Sequence, residues 1–328
     1  MDAILNLGNG IIIWLQSLGE WLVTPMSVFT FLGNEQFYLV VAPAVLWCLD
    51  ASLGLKMGLA LMVNSAFYSI LKLVFHAPRP YWIEPRIQPF SAEASFGIPS
   101  GHAQNAVVVW GMLAAWIHKT WAWIVAGALI FLVGLSRMYL GVHFPTDVLA
   151  GWAIGALVLW VILRYEKPLS RWLGRLKPGD QVLYALGASM WLILLGALAR
   201  LALGGWTMPT QWTVLAARAP GAAPVNPLEL SGLISNAGTF FGLALGGILL
   251  RQRGWFDAHG RALQLLARYL IGLAVVLVLW YGLGAIFPRG ESLVPYMLRY
   301  LRYGLVGLWV SGLAPMIFIR LKLAKSSA

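Results

Sequence analysis

Apolar runs about 20 residues long recur along the whole chain, and they constrain its fold more than any other feature. A helix needs a run of about this length to cross a hydrocarbon core roughly 30 Å thick. The sequence therefore predicts an all-α fold, a polytopic transmembrane helix bundle. It contains nine such runs, near residues 37–54, 56–76, 102–119, 121–140, 145–164, 182–203, 229–250, 266–287 and 298–319.

The composition supports a membrane protein and excludes an ordinary soluble domain. Hydrophobic residues make up 60% of the chain and charged residues only 11%, whereas soluble domains average roughly 45–50% and 25%. The net charge of +11 raises the possibility of a nucleic-acid partner, but basic residues in membrane proteins usually mark the cytoplasmic side. If nine spans alternate, one face receives 14 of the 23 basic residues, so we assign that face to the cytoplasm and expect no nucleic-acid partner.

The first 36 residues are apolar but interrupted. Gly19 and Pro25 break the pattern, and Glu20 lies just before Trp21. These features favour an interfacial helical segment over a tenth span, and the sequence leaves both readings open. We expect three parts: an interfacial segment at 1–36, a phosphate-chemistry core at 37–165, and C-terminal transmembrane helices packed on that core at 166–328.

Ionisable residues gather at the ends of four of the predicted spans. Such residues cost about 2.5–3.5 kcal/mol each at the bilayer centre, so each is a candidate functional residue. Alternation of the spans brings three clusters to one side of the membrane. They are Lys72 with Arg79 and Pro80, then Pro99-Ser100-Gly101-His102, then Ser136-Arg137 with His143 and Asp147.

The residue types in these clusters indicate an anion site beside an imidazole. Ser100 is a natural N-cap for the third span, and Gly101 lets a ligand approach the backbone closely. A helix start of this kind offers free N–H groups and a positive dipole end to an anion. His143 and Asp147 are four residues apart, so they share a face if the fifth helix begins there.

Read together, K-x6-R-P, P-S-G-H and S-R-x5-H-x3-D resemble the three-part signature of the type 2 phosphatidic acid phosphatase and vanadium haloperoxidase superfamily. A weaker likeness over the whole chain is to the glucose-6-phosphatase branch of that superfamily. It is carried by Arg79-Pro80-Tyr81-Trp82, by His143-Phe144-Pro145 and by the segment 236–243. The resemblance implies an integral-membrane phosphatase, simplest as a bacterial inner-membrane enzyme whose site faces the extracytoplasmic side.

The resemblance also implies a role for each residue of the signature. His143 is the nucleophile that forms a phosphohistidine, Asp147 orients its ring, and His102 protonates the leaving oxygen. Phosphate-binding roles fall to Lys72, Arg79, Ser100, Gly101 and Arg137. We expect no metal and no cofactor, since the cationic residues neutralise charge and the 12 acidic residues and single Cys48 form no metal-ligand motif.

Several substrates and functions stay open at this point. The leading one is a lipid phosphate drawn from the bilayer, as a monoester or a diphosphate. The alternative is a sugar phosphate, which requires a hydrophilic pocket built by the loop 204–228, and remoter ones are a vanadate-dependent haloperoxidase or a binding protein without turnover. The oligomeric state is not predicted. Three further arginines lie on the site side and are candidates to meet a substrate's polar part: Arg200, Arg218 and Arg299.

Overall fold

The computed structural model describes residues 2–222 and 225–327, and the chain is helical almost throughout that part. The all-α prediction is confirmed. The α-helices are α1 Asp2–Ser17, α2 Val23–Phe31, α3 Glu35–Cys48, α4 Ala51–Phe75, α5 Pro80–Ile83, α6 Gly101–Ile117, α7 Thr120–Tyr139, α8 Pro145–Leu173, α9 Pro178–Ala202, α10 Thr210–Ala216, α11 Ser231–Gln252, α12 Ala262–Leu277, α13 Leu283–Ile286, α14 Leu293–Leu308 and α15 Ala314–Arg320. Two three-residue strands, β1 Trp255–Asp257 and β2 Lys325–Ser327, pair antiparallel.

Seven of the nine predicted spans correspond to helices that are long and apolar enough to cross a membrane. A π-helical turn joins α12 to α13 and another joins α14 to α15, so each pair forms one long segment. The predicted spans near 37–54 and 102–119 are shorter helices, α3 and α6, with α6 only 17 residues long. The described residues therefore contain seven candidate spans, or eight if a bent helix pair at the N-terminus counts as one.

That bent pair occupies the predicted interfacial segment. Its two helical parts, Ala3–Ser17 and Glu20–Phe31, meet at an angle of 92°. The break falls at Gly19, whose φ of +108° suits a residue without a Cβ atom. The expectation that Pro25 also interrupts the helix is wrong, because Pro25 lies in the first turn of α2, where a missing N–H is tolerated. The interfacial location stays a prediction.

The chain divides into two compact units. Unit 1 comprises the described residues within 1–37, 67–163 and 196–229, and unit 2 those within 38–66, 164–195 and 230–328. In unit 1, α7 packs against α1, α2 and α6, and α10 packs against α5. All the predicted site residues belong to unit 1. The three-part division expected from the sequence stays a prediction.

Unit 2 is built around the packing of α11 on α14. A Cβ at Gly242 would lie 2.0 Å from the carbonyl oxygen of Gly304, and one at Gly238 would lie 2.5 Å from that of Tyr300. Small residues allow such close backbone approach, which is how helices commonly associate in membranes. Arg268 is fully buried in the same unit and donates hydrogen bonds to four backbone carbonyls, those of Trp47, Ala258, His259 and Leu323.

Candidate active site

The first cluster straddles a break between two helices. Lys72 lies in the last turn of α4, which ends at Phe75, three residues before Pro78. Arg79 is the N-cap of α5, and Pro80 takes the first helical position, where proline's fixed φ and missing N–H cost nothing. The helix end predicted from the prolines is therefore confirmed, and Arg79 is held in extended backbone between the two helices.

The second cluster starts α6 as the sequence predicts. Ser100 is the N-cap residue, with φ −70° and ψ 110°, but its side chain makes no capping hydrogen bond. Its hydroxyl is buried and has no hydrogen-bond partner among the described residues. A buried hydroxyl left unpaired is costly, so it is suited to meet a ligand oxygen. A Cβ at Gly101 would lie 2.9 Å from the ring of Tyr68, which explains the glycine.

The third cluster differs from the expectation in one respect. Because Pro145 takes the first position of α8, His143 lies in the connection before the helix and does not share a helical face with Asp147. The two side chains still meet. Oδ2 of Asp147, in the first turn, accepts the backbone N–H of Phe144 at 3.0 Å and lies 3.2 Å from Nδ1 of His143.

The contacts of His143 define its tautomer. Nη1 of Arg79 lies 3.1 Å from Nε2 of His143. A guanidinium has only donors, so Nε2 must accept, and the ring proton is on Nδ1, where it is donated to Asp147. Burial, followed by the charges of Arg79 and Lys72, holds the pKa of His143 well below its usual range. The ring is therefore neutral, with its lone pair on Nε2.

His102 has the opposite proton arrangement. Its Nε2 lies 2.5 Å from Oδ1 of Asn34, the amide oxygen of a residue just before α3. An amide oxygen only accepts, so the proton of His102 is on Nε2. The two histidines thus present complementary nitrogens, one with a lone pair and one with a proton. Sequence reasoning missed Asn34, which stands far from the signature in the chain.

The three cationic side chains are buried and held by hydrogen bonds. Lys72 Nζ donates to Ser95 Oγ at 2.8 Å. Arg79 donates from Nε to the carbonyl of Ser95 at 2.6 Å, and from Nη1 to that of Val142 at 2.9 Å. Its Nη2 also donates to Ser95 Oγ at 3.1 Å. Ser95 therefore ties two of the predicted phosphate-binding residues together.

Arg137 is linked to a carboxylate that the sequence analysis did not single out. Its Nη2 donates to Glu93, whose other oxygen lies 3.5 Å from Nη2 of Arg79, and its Nη1 donates to Thr30 Oγ1 at 2.6 Å. Burial opposes the ionisation of Glu93, but the charges of Arg137, Arg79, His102 and Lys72 hold its pKa well below the usual range. Glu93 is thus ionised between the arginines.

The predicted residues come together through these contacts. Arg79 touches His143, and His143 touches Asp147. The backbone carbonyl of Asp147 accepts the N–H of Ser100 at 2.9 Å, which joins the second cluster to the third. Glu93 joins Arg79 to Arg137. The site is cationic, and in the described part of the chain no three His, Cys, Asp or Glu side chains form a group able to hold a metal ion.

Aromatic side chains surround the segment that carries Arg79. Trp82 is fully buried, and its ring centroid lies 6.0 Å from that of Trp212. Phe96 and Trp206 make an edge contact at 5.1 Å. Arg218, one of the three further candidates, donates to the carbonyl of Pro85 at 2.8 Å. Aromatic rings of the loop 204–222 therefore pack against this segment. A sugar-phosphate substrate would require this loop to build a hydrophilic pocket instead.

The site of this helical membrane protein combines three buried cations, Lys72, Arg79 and Arg137, with two imidazoles, one with a lone pair on Nε2 and the other with a proton on Nε2. These are the features of a membrane phosphatase. The comparisons agree. Residues 53–171 match the PAP2 superfamily, and residues 234–326 match the PAP2 superfamily phosphatase, transmembrane extension.

Three relatives show the range of the family. Phosphatidylglycerophosphatase B of Bacillus subtilis (strain 168) is 32% identical over 167 residues, which cover 46% of this chain and 78% of that protein. Undecaprenyl-diphosphatase of Sulfolobus acidocaldarius is 26% identical over 156 residues, 47% of this chain and 72% of that protein. Glucose-6-phosphatase 3 of Bos taurus is 27% identical over 200 residues, 52% of this chain and 56% of that protein.

The chain belongs to the PAP2 superfamily and is an integral-membrane phosphatase, a phosphoric ester hydrolase. The resemblance found in the three motifs is confirmed. The catalytic and phosphate-binding roles of the individual residues stay predictions.

Proposed function

We propose that this chain hydrolyses phosphate monoesters or diphosphates of lipids through a phosphohistidine at His143, without a metal ion. The observation that carries the mechanism is the chain of contacts from Arg79 to His143 to Asp147. It leaves Nε2 of His143 unprotonated beside a cation that is suited to bind a phosphate oxygen.

The proposed reaction has two displacements at phosphorus. In the first, the Nε2 lone pair of His143 forms a bond to phosphorus while the bond to the leaving oxygen breaks. His102, which the charge of the bound phosphate holds as an imidazolium with a proton on each ring nitrogen, gives its Nε2 proton to that oxygen and becomes neutral. In the second, His102 takes a proton from water, the water oxygen attacks phosphorus, and the bond to Nε2 breaks. Asp147 stabilises the positive charge that the His143 ring carries between the two steps.

Charge neutralisation is the main demand of phosphoryl transfer, and the cations of the site are suited to meet it. Lys72, Arg79 and Arg137 surround the phosphate oxygens in this proposal. The unpaired hydroxyl of Ser100 and the N–H of Gly101 at the start of α6 add two uncharged donors. Preorganised donors in a buried site cost no reorganisation during the reaction, and that is how oxyanion sites act.

Two observations support a lipid as the substrate. The rings of Trp82, Phe96, Trp206 and Trp212 give the segment around Arg79 an apolar environment. Phosphatidylglycerophosphatase B and undecaprenyl-diphosphatase, which are among the relatives, are named for lipid substrates. A sugar phosphate is the second candidate, supported by the similarity to glucose-6-phosphatase 3. The excess of basic residues on the opposite face supports an extracytoplasmic site. We propose a bacterial inner membrane as the location of the enzyme.

Phosphate release from a panel of substrates tests this function. The purified chain in mixed micelles with excess chelator is assayed on phosphatidate, phosphatidylglycerol phosphate, undecaprenyl diphosphate and glucose 6-phosphate. We expect kcat/KM for at least one lipid to exceed that for the sugar phosphate by about tenfold or more, which corresponds to ~1.4 kcal/mol of transition-state binding. A preference for glucose 6-phosphate would replace the lipid by a sugar, and loss of activity with chelator would contradict metal independence.

Glu93 is predicted to compete with phosphate for the site, because its carboxylate pairs with two of the arginines that the phosphate needs. Replacing it by glutamine removes the competing charge. We expect Glu93→Gln to lower the inhibition constant of inorganic phosphate by about tenfold. That change corresponds to ~1.4 kcal/mol, about a third of the roughly 4 kcal/mol of a close ion pair at an effective dielectric constant of 20. The measurement is product inhibition of the lipid phosphatase reaction.

Glu84→Gln is the matched control for this prediction. Glu84 lies on the same connection as Glu93, and it pairs with Arg86 instead of with Arg79 or Arg137. It should leave phosphate inhibition unchanged. If Glu93→Gln instead weakened inhibition by phosphate, Glu93 would be acting to position the arginines, and competition would be disproved.

A further inference from the structure

Unit 2 contains a cavity that plays no part in the proposed reaction. Its volume is about 440 Å³, within the range of small-molecule sites. The walls come from the π-helical turn that follows α12, from α13 and the connection after it, and from α14. Short π-helical turns often occur at functional sites.

Among the described residues that line the cavity, three are arginines and none is acidic. Arg299 and Arg302 belong to the candidate span Leu293–Arg320, and Arg289 comes from the preceding connection. An arginine inside a span is expensive and is a functional-site candidate by default. Arg299 and Arg302 lie three residues apart on α14 and line the same cavity, so a bound anion would neutralise their charge.

Arg302 has a hydrogen-bond donor that is available to a ligand. Its Nε is buried and has no hydrogen-bond partner among the described residues. The guanidinium lies 4.7 Å from the centroid of the Tyr303 ring, which is held in turn by a hydrogen bond of 3.1 Å from Trp280 Nε1. A Cβ at Gly284 would lie 2.5 Å from Nη1 of Arg302, so glycine at this position leaves room for the cation.

The borders of the cavity are apolar and exposed. Tyr281 in the π-helical turn, Ile286 at the end of α13, and Leu293 and Val294 at the start of α14 all have exposed side chains. In a membrane such side chains meet acyl chains. A cationic cavity bordered by this surface matches a molecule that carries an anionic head and apolar tails.

We propose that this cavity binds the phosphate group of an anionic glycerophospholipid, with Arg302 and Arg299 as its donors and the acyl chains on the neighbouring apolar surface. Arginine is suited to this role because its planar fork donates two hydrogen bonds to a phosphate group. Arg299 also donates to Ser235 Oγ at 3.1 Å, which holds its side chain in place. The C-terminal part of the chain then has a lipid-recognition role independent of the phosphatase reaction.

Lipid titration of the purified full-length chain tests the proposal. Phosphatidylglycerol, a phosphodiester, is added in a zwitterionic detergent, and bound lipid is counted by native mass spectrometry. We expect Arg302→Gln to weaken binding about tenfold or more, the loss typical of a hydrogen bond to a charged group, while Arg302→Lys loses less. Arg320→Gln is the matched control, since Arg320 is an exposed arginine at the end of the same span. It should change binding less than about twofold.

Three results would overturn the proposal. Equal losses in Arg302→Gln and Arg320→Gln would show binding by general surface charge. Equal binding of phosphatidylcholine would show that the anionic head is not recognised. Binding of inorganic phosphate as tight as that of the lipid would replace the lipid by free phosphate. If Arg302→Gln does not fold, Gly284→Leu tests the same cavity by filling it while the charge is kept, and unchanged lipid binding in that variant would also overturn the proposal.

Discussion

Replacing His143 by alanine is expected to lower phosphate release by about 10⁴-fold or more, because the group that forms the bond to phosphorus is lost. Losses of this size are typical when the nucleophile of a covalent mechanism is removed. The ring is fully buried and positioned by Asp147 and Arg79, so water cannot simply take its place with the same orientation. The measurement is kcat on the lipid that is turned over fastest.

The control for this variant is His259→Ala, which removes an exposed histidine whose ring pairs with the neighbouring Asp257. It should keep wild-type activity and stability. If His143→Ala kept more than about a tenth of the wild-type kcat, His143 would not be the nucleophile and the proposed mechanism would be discarded.

Replacing His102 by alanine is expected to slow lipid turnover by about 10² to 10⁴-fold, the usual contribution of a general acid. The loss should depend on the leaving group. A nitrophenolate departs without being protonated, so the variant should release about one equivalent of nitrophenol per enzyme in a rapid burst from p-nitrophenyl phosphate. Hydrolysis of the phosphohistidine should then be slow, since the same residue activates the water. Rapid-mixing absorbance measurements follow both phases.

An equal slowing of the alkyl and nitrophenyl substrates, with no burst, would contradict this role for His102. It would point instead to a loss of site structure. Asn34→Ala separates the two, because Asn34 accepts a hydrogen bond from His102 but cannot itself act as a general acid. That variant should keep most of the rate of the first displacement, and its turnover should show no burst phase.

The signature residues could be predicted from the sequence because their spacing is local. A lysine near the end of one span, an arginine before a proline, and P-S-G-H at the next helix start each follow from a short segment. Alternation of the spans then predicted that these segments lie on one side. The contacts from Arg79 to His143 and from Asp147 to Ser100 agree with that prediction.

The partners of the signature residues could not be predicted in the same way. Asn34 and Thr30 are separated from His102 and Arg137 by 68 and 107 positions, and no local pattern links residues so far apart. For Glu93 the sequence narrows the choice but does not identify the residue. A site with three cations needs a counter-charge when no phosphate is bound, and the connection after Arg79 holds only two acidic residues, Glu84 and Glu93. Spacing alone does not choose between them.

Helix boundaries are a second feature that could not be predicted from the sequence. The apolar pattern predicted the long helices, but it does not indicate whether a proline interrupts a helix or lies in its first turn. Pro145 begins α8 and leaves His143 outside it, whereas Pro25 sits in the first turn of α2 without breaking it. Trp82 is fully buried, although tryptophan is a residue type enriched at membrane–water interfaces.

The steric course at phosphorus shows whether a covalent intermediate forms on His143. The substrate is a phosphorothioate ester made chiral at phosphorus with oxygen isotopes, and the configuration of the thiophosphate released by the wild-type enzyme is determined. Two successive in-line displacements, one by His143 and one by water, invert phosphorus twice, so we expect net retention. Net inversion would mean a single attack by water and would contradict the phosphohistidine mechanism.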